Sequence, residues 1–198
     1  MDTIYPVILS VPAEYRLLSG KDKVLNLSRL AREALELSAQ KSGIHCSKFL
    51  KDTNGVPLPF EGNYWSVTHK PEYVGGIIAS TRIGIDIEKI RSCPESLFRK
   101  TADEKEWRLS NTDPFILFFR FWTSKETVIK AVGTGTKDLL KCRIRQIVDD
   151  NNLVVDYQHK SWVIEHFFFD GHIASIVKNG SHIEWTLLNS LQTYIINI

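Results

Sequence analysis

This chain of 198 residues contains two kinds of hydrophobic pattern, one typical of helices and one typical of strands. Over Leu25–Gln40 the apolar residues recur every three or four positions, which predicts an amphipathic helix that ends before Gly43. Elsewhere, short apolar runs are bounded by turn residues, as in β-strands. These predicted strands are Tyr5–Val11, Tyr64–Thr68, Val74–Ser80, Ile83–Glu88, Leu153–Tyr157, Trp162–Phe168, His172–Val177 and Glu184–Leu188.

A second helix is predicted over Pro114–Val132, and its limits are the sharpest in the chain. Asp113 is suited to cap the N-terminus, and Pro114 to the first helical position. Gly133 is suited to the C-terminal cap. The preceding segment, Ser92–Asp113, is polar and mixed, and it predicts part helix and part loop.

The order of these elements indicates the fold class. A strand and a helix precede a run of strands, and the second helix is again followed by strands. This order is typical of an α+β protein built from two similar helix-plus-antiparallel-sheet units, and not of alternating βαβ units. We therefore predict an N-terminal half over residues 1–81 and a C-terminal half over residues 82–198.

Composition and charge exclude several classes of protein. With 43% hydrophobic residues, the chain can bury a core without a disulfide or a structural metal. A net charge of +2 and the lack of a basic stripe argue against a nucleic-acid partner. Cys46, Cys93 and Cys142 have no metal-type spacing and are expected to be reduced thiols. Without a signal-like N-terminus or an apolar run of about 20 residues, we expect a soluble cytoplasmic protein with no membrane partner.

The second helix carries a glutamate where its pattern calls for an apolar residue. One stripe of this helix is formed by Phe115, Phe119, Trp122, Ile129 and Gly133. At about 100° per residue, Glu126 lies within this stripe and Lys130 lies beside it, one turn on. The opposite side carries Arg120, Ser124 and Thr127. A core-facing carboxylate is unfavourable unless it is paired or metal-bound, so the alternatives are a functional site and a simple Glu126–Lys130 pair.

A strand of the sequence IGIDIE places two more carboxylates side by side. Alternation puts Asp86 and Glu88 on one face, next to the bare Gly84. Taken alone, such a pair is explained by a solvated strand face. Together with Glu126, it predicts three carboxylates around one divalent cation, and hard oxygen ligands of this kind suit Mg²⁺ beside substrate phosphates. Lys125 and Lys130 would then face those phosphates.

These residues also form a recognisable order of motifs. Thr68-His69 is followed by Gly84–Glu88, and the segment Trp122–Lys130 (WTSKETVIK) comes some tens of residues later. This order resembles the signature of the 4′-phosphopantetheinyl transferases of the surfactin-synthetase-activating type. The resemblance is strong over residues 51–135. It implies a pseudo-twofold α+β fold of two similar halves, with coenzyme A and the metal in the cleft between them.

The resemblance also implies roles for individual residues. Asp86, Glu88 and Glu126 would hold Mg²⁺ on the pyrophosphate of coenzyme A. The side chain of Lys130 would neutralise phosphate charge, and His69 in the Thr68-His69 element would hydrogen-bond a phosphate. These assignments place Glu126, Lys130 and His69 among the catalytic residues.

Two further contacts to coenzyme A are implied less directly. Lys125 would contact the nucleotide or Glu126. In the first helix, Arg32 resembles an arginine that binds the nucleotide end, although Arg29 and Arg32 equally suit a solvated helix face.

The chain departs from the family pattern at two places. The family often has a basic residue between Gly and Pro before the histidine strand, and this chain has Val56 there. Lys51 or Lys70 would have to replace that phosphate contact. The family also has an acidic residue ahead of the long helix that can join the metal site. By spacing Glu104 fits best, and Asp103 and Glu106 remain open.

The function implied by this resemblance is that of a transferase of the holo-acyl-carrier-protein synthase type. It would move the 4′-phosphopantetheine group of coenzyme A to a serine of an acyl or peptidyl carrier protein, with Glu126 as the base. Small single-half relatives act as trimers, whereas a chain of this length resembles the two-half monomer. The segment Ser92–Thr112 is a candidate docking surface for the acidic carrier protein.

Two other functions compete with this interpretation. The Asp86–Glu88 strand also fits a Mg²⁺-dependent nuclease or phosphodiesterase, but no E-x-K follows the aspartate and no basic stripe with interleaved aromatics is present. A catalytically silent relative that only binds carrier proteins is the other alternative. A silent relative is expected to have lost some of the motif residues, and this chain retains all of them.

Overall fold

A computed structural model of the protein describes residues 2–45 and 48–189, without the side chain of residue 136. The chain forms two compact units, one made of residues 2–82 with 181–189 and the other of residues 83–180. Both units combine helices with sheets, as expected for an α+β protein. Cys46 lies outside the described residues.

The first unit contains a long helix on a four-stranded sheet. Its helices are α1 (Ala13–Arg16) and α2 (Gly20–Lys41), and its strands are β1 (Thr3–Ile4), β2 (Val7–Ser10), β3 (Tyr64–His69), β4 (Tyr73–Ala79), β10 (His182–Ile183) and β11 (Thr186–Leu188). The sheet order is β11-β2-β4-β3, in which β11 runs parallel to β2 and the other pairs are antiparallel. Strands β1 and β10 form a separate parallel pair. The apolar stripe of α2, which includes Ala31, Ala34 and Leu35, is fully buried in this unit.

The second unit is a five-stranded antiparallel sheet with one helix buried against it. Its helices are α3 (Glu95–Thr101), α4 (Glu104–Trp107) and α5 (Pro114–Val132), with a 3₁₀ helix at Thr136–Lys141. Its strands are β5 (Ile85–Lys89), β6 (Arg143–Ile147), β7 (Asn152–Tyr157), β8 (Lys160–Phe169) and β9 (His172–Val177). The sheet order is β5-β9-β8-β7-β6, and α5 packs on β5 and β9. Stacked aromatic rings of Trp107 and Phe121 join α4 to α5.

Most predicted elements are present, and their limits differ where the pattern is weak. Helix α5 and strand β9 have the predicted bounds, whereas α2 begins at Gly20, five residues before the predicted start. Strand β6 was not predicted, because Ile144 is its one fully buried side chain and a bulge interrupts its register after that residue. The polar segment before α5 contains the two short helices α3 and α4.

The C-terminal strands belong to the first unit. Strand β10 pairs with β1, and β11 pairs with β2, so the described residues from 181 onward return to the sheet where the chain began. The prediction had assigned all of residues 82–198 to one half. A hydrophobic pattern reveals that a segment is a strand and does not reveal its partner, since pairing depends on tertiary contacts.

Candidate active site

Helix α5 carries most of the candidate site, and its ends are fixed by local chemistry. The Asp113 carboxylate accepts hydrogen bonds from the backbone N–H groups of Phe115 and Ile116, at 2.9 and 3.0 Å. Pro114 follows at the first helical position. At the other end Gly133 adopts a left-handed conformation with φ of 83°, which favours glycine. These caps hold the helix in register over the sheet.

Helix α5 is buried on nearly all sides, and not on one stripe alone. Glu126 is buried as predicted, with 9% of its surface exposed. The side predicted to lie opposite is also buried, since Arg120, Ser124 and Thr127 have 3% exposure or less. Its hydroxyl groups are satisfied by the backbone: the Thr127 hydroxyl donates to the Ser175 carbonyl at 3.0 Å. Short polar side chains can be buried in this way when they bond to main-chain oxygens.

Asp86 lies on β5, faces α5 and is paired with a lysine. Its carboxylate is almost fully buried, and the Lys130 ammonium donates to its Oδ1 at 2.9 Å. The same ammonium donates to the Ile85 carbonyl at 2.9 Å. Glu88 is half-buried on the same face of the strand. Lys130 therefore provides positive charge at Asp86, and the metal ion predicted at the Asp86–Glu88 pair stays a prediction.

A glycine allows β5 and α5 to approach closely enough for this pair. Gly84 lies just before β5, and a Cβ atom built on it would overlap the Thr127 carbonyl oxygen and crowd the Ala131 backbone. The absence of a side chain at Gly84 thus places strand backbone directly against helix backbone. This close approach brings Asp86 within reach of Lys130, which follows Thr127 by three residues.

Lys125 has a position that the sequence did not predict. The Lys125 side chain is fully buried, and its ammonium lies 2.6 Å from Glu106 Oε1 and 2.7 Å from the Thr101 carbonyl oxygen. Burial lowers the pKa of Lys125, and the hydrogen bond to Glu106 opposes this shift. The prediction was a contact with the nucleotide or with Glu126. The structure instead places this ammonium in a buried ion pair beneath α4.

The three acidic residues ahead of α5 have separate structural roles. Asp103 caps α4, and its other carboxylate oxygen pairs with Arg143 at 2.7 Å. Glu104, the candidate that best fitted the family spacing, has an exposed side chain 3.1 Å from Arg108. Glu106 is 4% exposed and binds Lys125. None of the three is grouped with Asp86 in a metal cluster within the described residues.

The predicted three-carboxylate metal site is not preformed. Within residues 2–45 and 48–189, no group of three or more histidine, cysteine, aspartate or glutamate side chains is arranged to hold a metal ion. The donor chemistry nevertheless fits Mg²⁺, which typically takes one or two protein carboxylates together with waters and substrate phosphates. Asp86 and Glu126 are buried carboxylates of the right type, and Asp86 already lies against a cation.

The remaining predicted residues lie in the first unit. Thr68 and His69 end strand β3, where Thr68 is buried and His69 is exposed. Arg32 is on the exposed side of α2, and its guanidinium donates to the Phe49 carbonyl at 3.2 Å. Val56 lies in a turn whose backbone is held by the carboxylate of Asp52 at 2.8 Å. The proposed contacts of these residues with coenzyme A stay predictions.

The sequence analysis did not predict a row of buried polar residues across neighbouring strands of the second sheet. Ser175 is the register partner of both Asp86 on β5 and His166 on β8. The Ser175 hydroxyl lies 2.6 Å from the Thr123 hydroxyl and 2.8 Å from His166 Nδ1. Burial, with a smaller effect of the nearby Arg120, lowers the pKa of His166 to about 3, so this ring is neutral. The available signals were Ser175 inside the apolar run of β9 and the adjacent Glu165 and His166 inside that of β8.

Comparison with known proteins identifies the region that holds this geometry. Residues 82–177 match the family model of the 4′-phosphopantetheinyl transferase superfamily. This region is therefore similar to that superfamily. The match has nearly the same limits as the second unit, which carries Asp86, Glu88, Glu126 and Lys130. The motif resemblance is thereby confirmed at the level of the family.

Two curated relatives extend this result. The chain is 32% identical to the 4′-phosphopantetheinyl transferase gsp of Aneurinibacillus migulanus over 91 residues, which cover 44% of this chain and 38% of that protein. It is 26% identical to the L-aminoadipate-semialdehyde dehydrogenase-phosphopantetheinyl transferase of Xenopus laevis over 182 residues. That alignment covers 74% of this chain and 60% of the relative. The chain thus spans less than two thirds of either relative.

Proposed function

We propose that this protein transfers the 4′-phosphopantetheine group of coenzyme A to a serine of an acyl or peptidyl carrier protein. The observation that carries the proposal is the pair of a buried Asp86 with a partly exposed Lys130, on the same helix as the buried Glu126 and within the region that matches the transferase superfamily. Opposite charges at one helix–sheet junction are suited to hold a pyrophosphate and to accept a proton.

The proposed reaction is a single displacement at phosphorus. The serine oxygen of the carrier protein forms a bond to the β-phosphorus of coenzyme A. The bond from that phosphorus to the oxygen bridging to the α-phosphate breaks, and adenosine 3′,5′-bisphosphate leaves. The serine proton passes to the Glu126 carboxylate, which is largely shielded from water. Atoms and charge balance without any oxidant or reductant.

Lys130 would supply positive charge where the reaction builds negative charge. Its side chain is 28% exposed, so its ammonium can reach a ligand as well as Asp86. On an α-helix, Lys130 lies only about 40° around the axis from Glu126. One turn of α5 therefore presents the proposed base and the proposed phosphate contact on the same side.

Magnesium belongs to the same proposal. Asp86 and Glu126, with Glu88 as the third predicted ligand, would hold Mg²⁺, and the bound ion would stabilise charge on the pyrophosphate oxygens. In the first unit, His69, Thr68 and Arg32 are the proposed contacts for the rest of coenzyme A. We also propose that the enzyme acts as a cytoplasmic monomer, without nucleic-acid or membrane partners. In the described part of the chain, no helix has the length and hydropathy to cross a bilayer.

The test is intact-protein mass spectrometry of an apo carrier protein mixed with this enzyme, coenzyme A and Mg²⁺. We expect a mass increase of one phosphopantetheinyl group, and its loss when EDTA removes the metal. The Glu126→Gln variant should fold and transfer nothing. Glu165→Gln, which changes a carboxylate on β8, is the matched control and should transfer normally.

Other outcomes separate the competing functions. Binding of carrier protein without any mass increase would support a catalytically silent relative. Cleavage of plasmid DNA by the enzyme with Mg²⁺, together with no transfer to acyl or peptidyl carrier proteins, would support a nuclease. Full activity of Glu126→Gln would contradict its roles as base and metal ligand.

A further inference from the structure

Glu106 on α4 is a buried carboxylate of the second unit with hydrogen-bond donors around both of its oxygens. Its Oε1 lies 2.6 Å from the Lys125 ammonium and accepts the backbone N–H of Ile144 at 2.8 Å. Its Oε2 accepts the backbone N–H of Asp103 at 3.0 Å and the Arg143 guanidinium at 3.2 Å. A carboxylate offers about four acceptor positions, and here four donors occupy them. Glu106 thus has no acceptor position left for a metal ion.

The Glu106–Lys125 pair is fully withdrawn from water. Glu106 is 4% exposed and Lys125 is 0% exposed. Removing two charges from water is unfavourable, and an apolar pair of the same volume commonly gives equal or greater stability. Stability alone therefore does not account for this pair. A buried ion pair whose partners are themselves held by hydrogen bonds does, however, fix the position and the rotation of the helices that it joins.

The element defined in this way is the fourth turn of α5, which begins at Lys125. Lys125 also donates to the Thr101 carbonyl at 2.7 Å, so its ammonium is held by α3 as well as by α4. Through Arg143 and Ile144, Glu106 is held in turn by β6. This part of α5 is consequently fixed to three elements by one side chain.

The geometry of a helix transmits this constraint to the candidate site. Lys125 directly precedes Glu126, and it lies about 140° around the axis from Lys130, whereas Glu126 and Lys130 are only about 40° apart. Holding Lys125 against α4 thus turns Glu126 and Lys130 towards β5. A small rotation of α5 would move both of these groups away from Asp86.

We infer that Glu106 is a positioning residue: by holding Lys125 it orients Glu126, and it is not itself a ligand of the metal. This inference rests on the proposed transfer reaction for its effect on rate. It replaces the expectation that an acidic residue ahead of α5 joins the metal site, and it gives Lys125 a role other than contact with the nucleotide.

The experiment compares two double variants. Lys125→Met with Glu106→Gln removes both charges, keeps the side-chain volumes, and leaves an amide oxygen for the Ile144 N–H. The control is Lys178→Met with Glu165→Gln, which removes an ion pair of the same 2.6 Å length between β8 and the residue that follows β9. We expect the first variant to remain folded and to lose about tenfold to a hundredfold in kcat, because small displacements of reacting groups are costly.

Two readouts separate positioning from a merely structural role. The fall in kcat should persist at saturating coenzyme A and saturating Mg²⁺, because added ligand does not restore the position of displaced reacting groups. Amide hydrogen exchange over residues 123–129 should rise in the first variant, with the urea midpoint unchanged. The control should change neither kcat nor this exchange.

The outcomes are distinct. Wild-type kcat and exchange in the first variant would overturn the inference and leave the proposed function intact. A wild-type enzyme that transfers nothing would overturn the proposed function, and the exchange measurement would still decide whether Glu106 orders this turn. If the first double variant does not fold, Arg143→Gln provides the same readouts, because it removes one half-exposed donor to Glu106 and leaves Lys125 paired. Unchanged kcat and exchange in that variant would likewise overturn the inference.

Discussion

Lys130 Nζ lies 2.9 Å from Asp86 Oδ1, which joins the last turn of α5 to the edge strand β5 across the helix–sheet junction. The carboxylate is buried and the lysine is partly exposed. The pair thus holds opposite charges together, and it makes the motif residues of the strand and of the helix mutually dependent.

Removing the lysine should expose this dependence. In Lys130→Met the Asp86 carboxylate loses a charged hydrogen-bond partner, and we expect the free energy of unfolding to fall by about 2 kcal/mol. Urea denaturation of Lys130→Met, Asp86→Asn and the double variant measures their coupling. We expect a coupling energy of about 1–3 kcal/mol. Additive effects would show that the ion pair does not stabilise the junction.

The backbone contact at Gly84 should tolerate no side chain. In Gly84→Ala the new Cβ would overlap the Thr127 carbonyl, and helix and strand would have to separate. Overpacking of this kind typically reduces stability by about 1–3 kcal/mol. We also expect transfer activity to fall, because the separation would move Asp86 away from Lys130. A variant with unchanged urea midpoint and unchanged kcat would show that the junction can relax freely.

The neutral His166 should make the protein sensitive to acid. Its pKa is about 3 in the folded protein against about 6.5 when unfolded, so the unfolded chain binds the proton first. Stability from this group is therefore complete above pH 6.5 and is lost as the pH falls towards 3. At pH 5 the loss should be about 2 kcal/mol.

The measurement is urea unfolding at pH 7.5 and pH 5.0. His166→Gln should show a smaller difference between the two pH values than the wild type. The exposed His45→Gln should behave as the wild type does. Equal pH sensitivity in all three proteins would indicate that other groups control acid unfolding.

The cap of α5 should contribute measurably to stability. Asp113→Ala removes the acceptor of two backbone N–H groups, and loss of such a cap reduces stability by about 1 kcal/mol. Asp113→Asn keeps an acceptor oxygen and should restore most of this loss. Thermal melting of the three proteins is the measurement, and identical midpoints would contradict the assignment of the cap.

Local chemistry explains which features could be predicted from the sequence. The limits of α5 follow from Asp113, Pro114 and Gly133, which act within one turn of each helix end. The inward position of Glu126 follows from the helical period alone. These features need no knowledge of the rest of the chain.

Features that depend on distant partners were not predictable in this way. Asp86 pairs with Lys130, which is 44 residues away along the chain (130 − 86). Lys125 pairs with Glu106, which is 19 residues away (125 − 106). A periodic sequence pattern does not indicate pairings over such distances. The burial of Arg120 likewise depends on a distant partner, since its guanidinium donates to the Asp149 carbonyl at 2.7 Å. Sequence pattern therefore predicted the chemical groups of the site and missed their partners.

The return of β10 and β11 to the first unit has a consequence for the order in which the protein can fold during synthesis. Residues 83–180 are one continuous segment, and its first and last strands, β5 and β9, are neighbours in one sheet. This segment can complete its sheet as soon as it has left the ribosome. The first unit must wait for Thr186–Leu188 before β2 gains its parallel neighbour, although β2 itself precedes the second unit along the chain. The unit that is begun first is thus the one that is finished last.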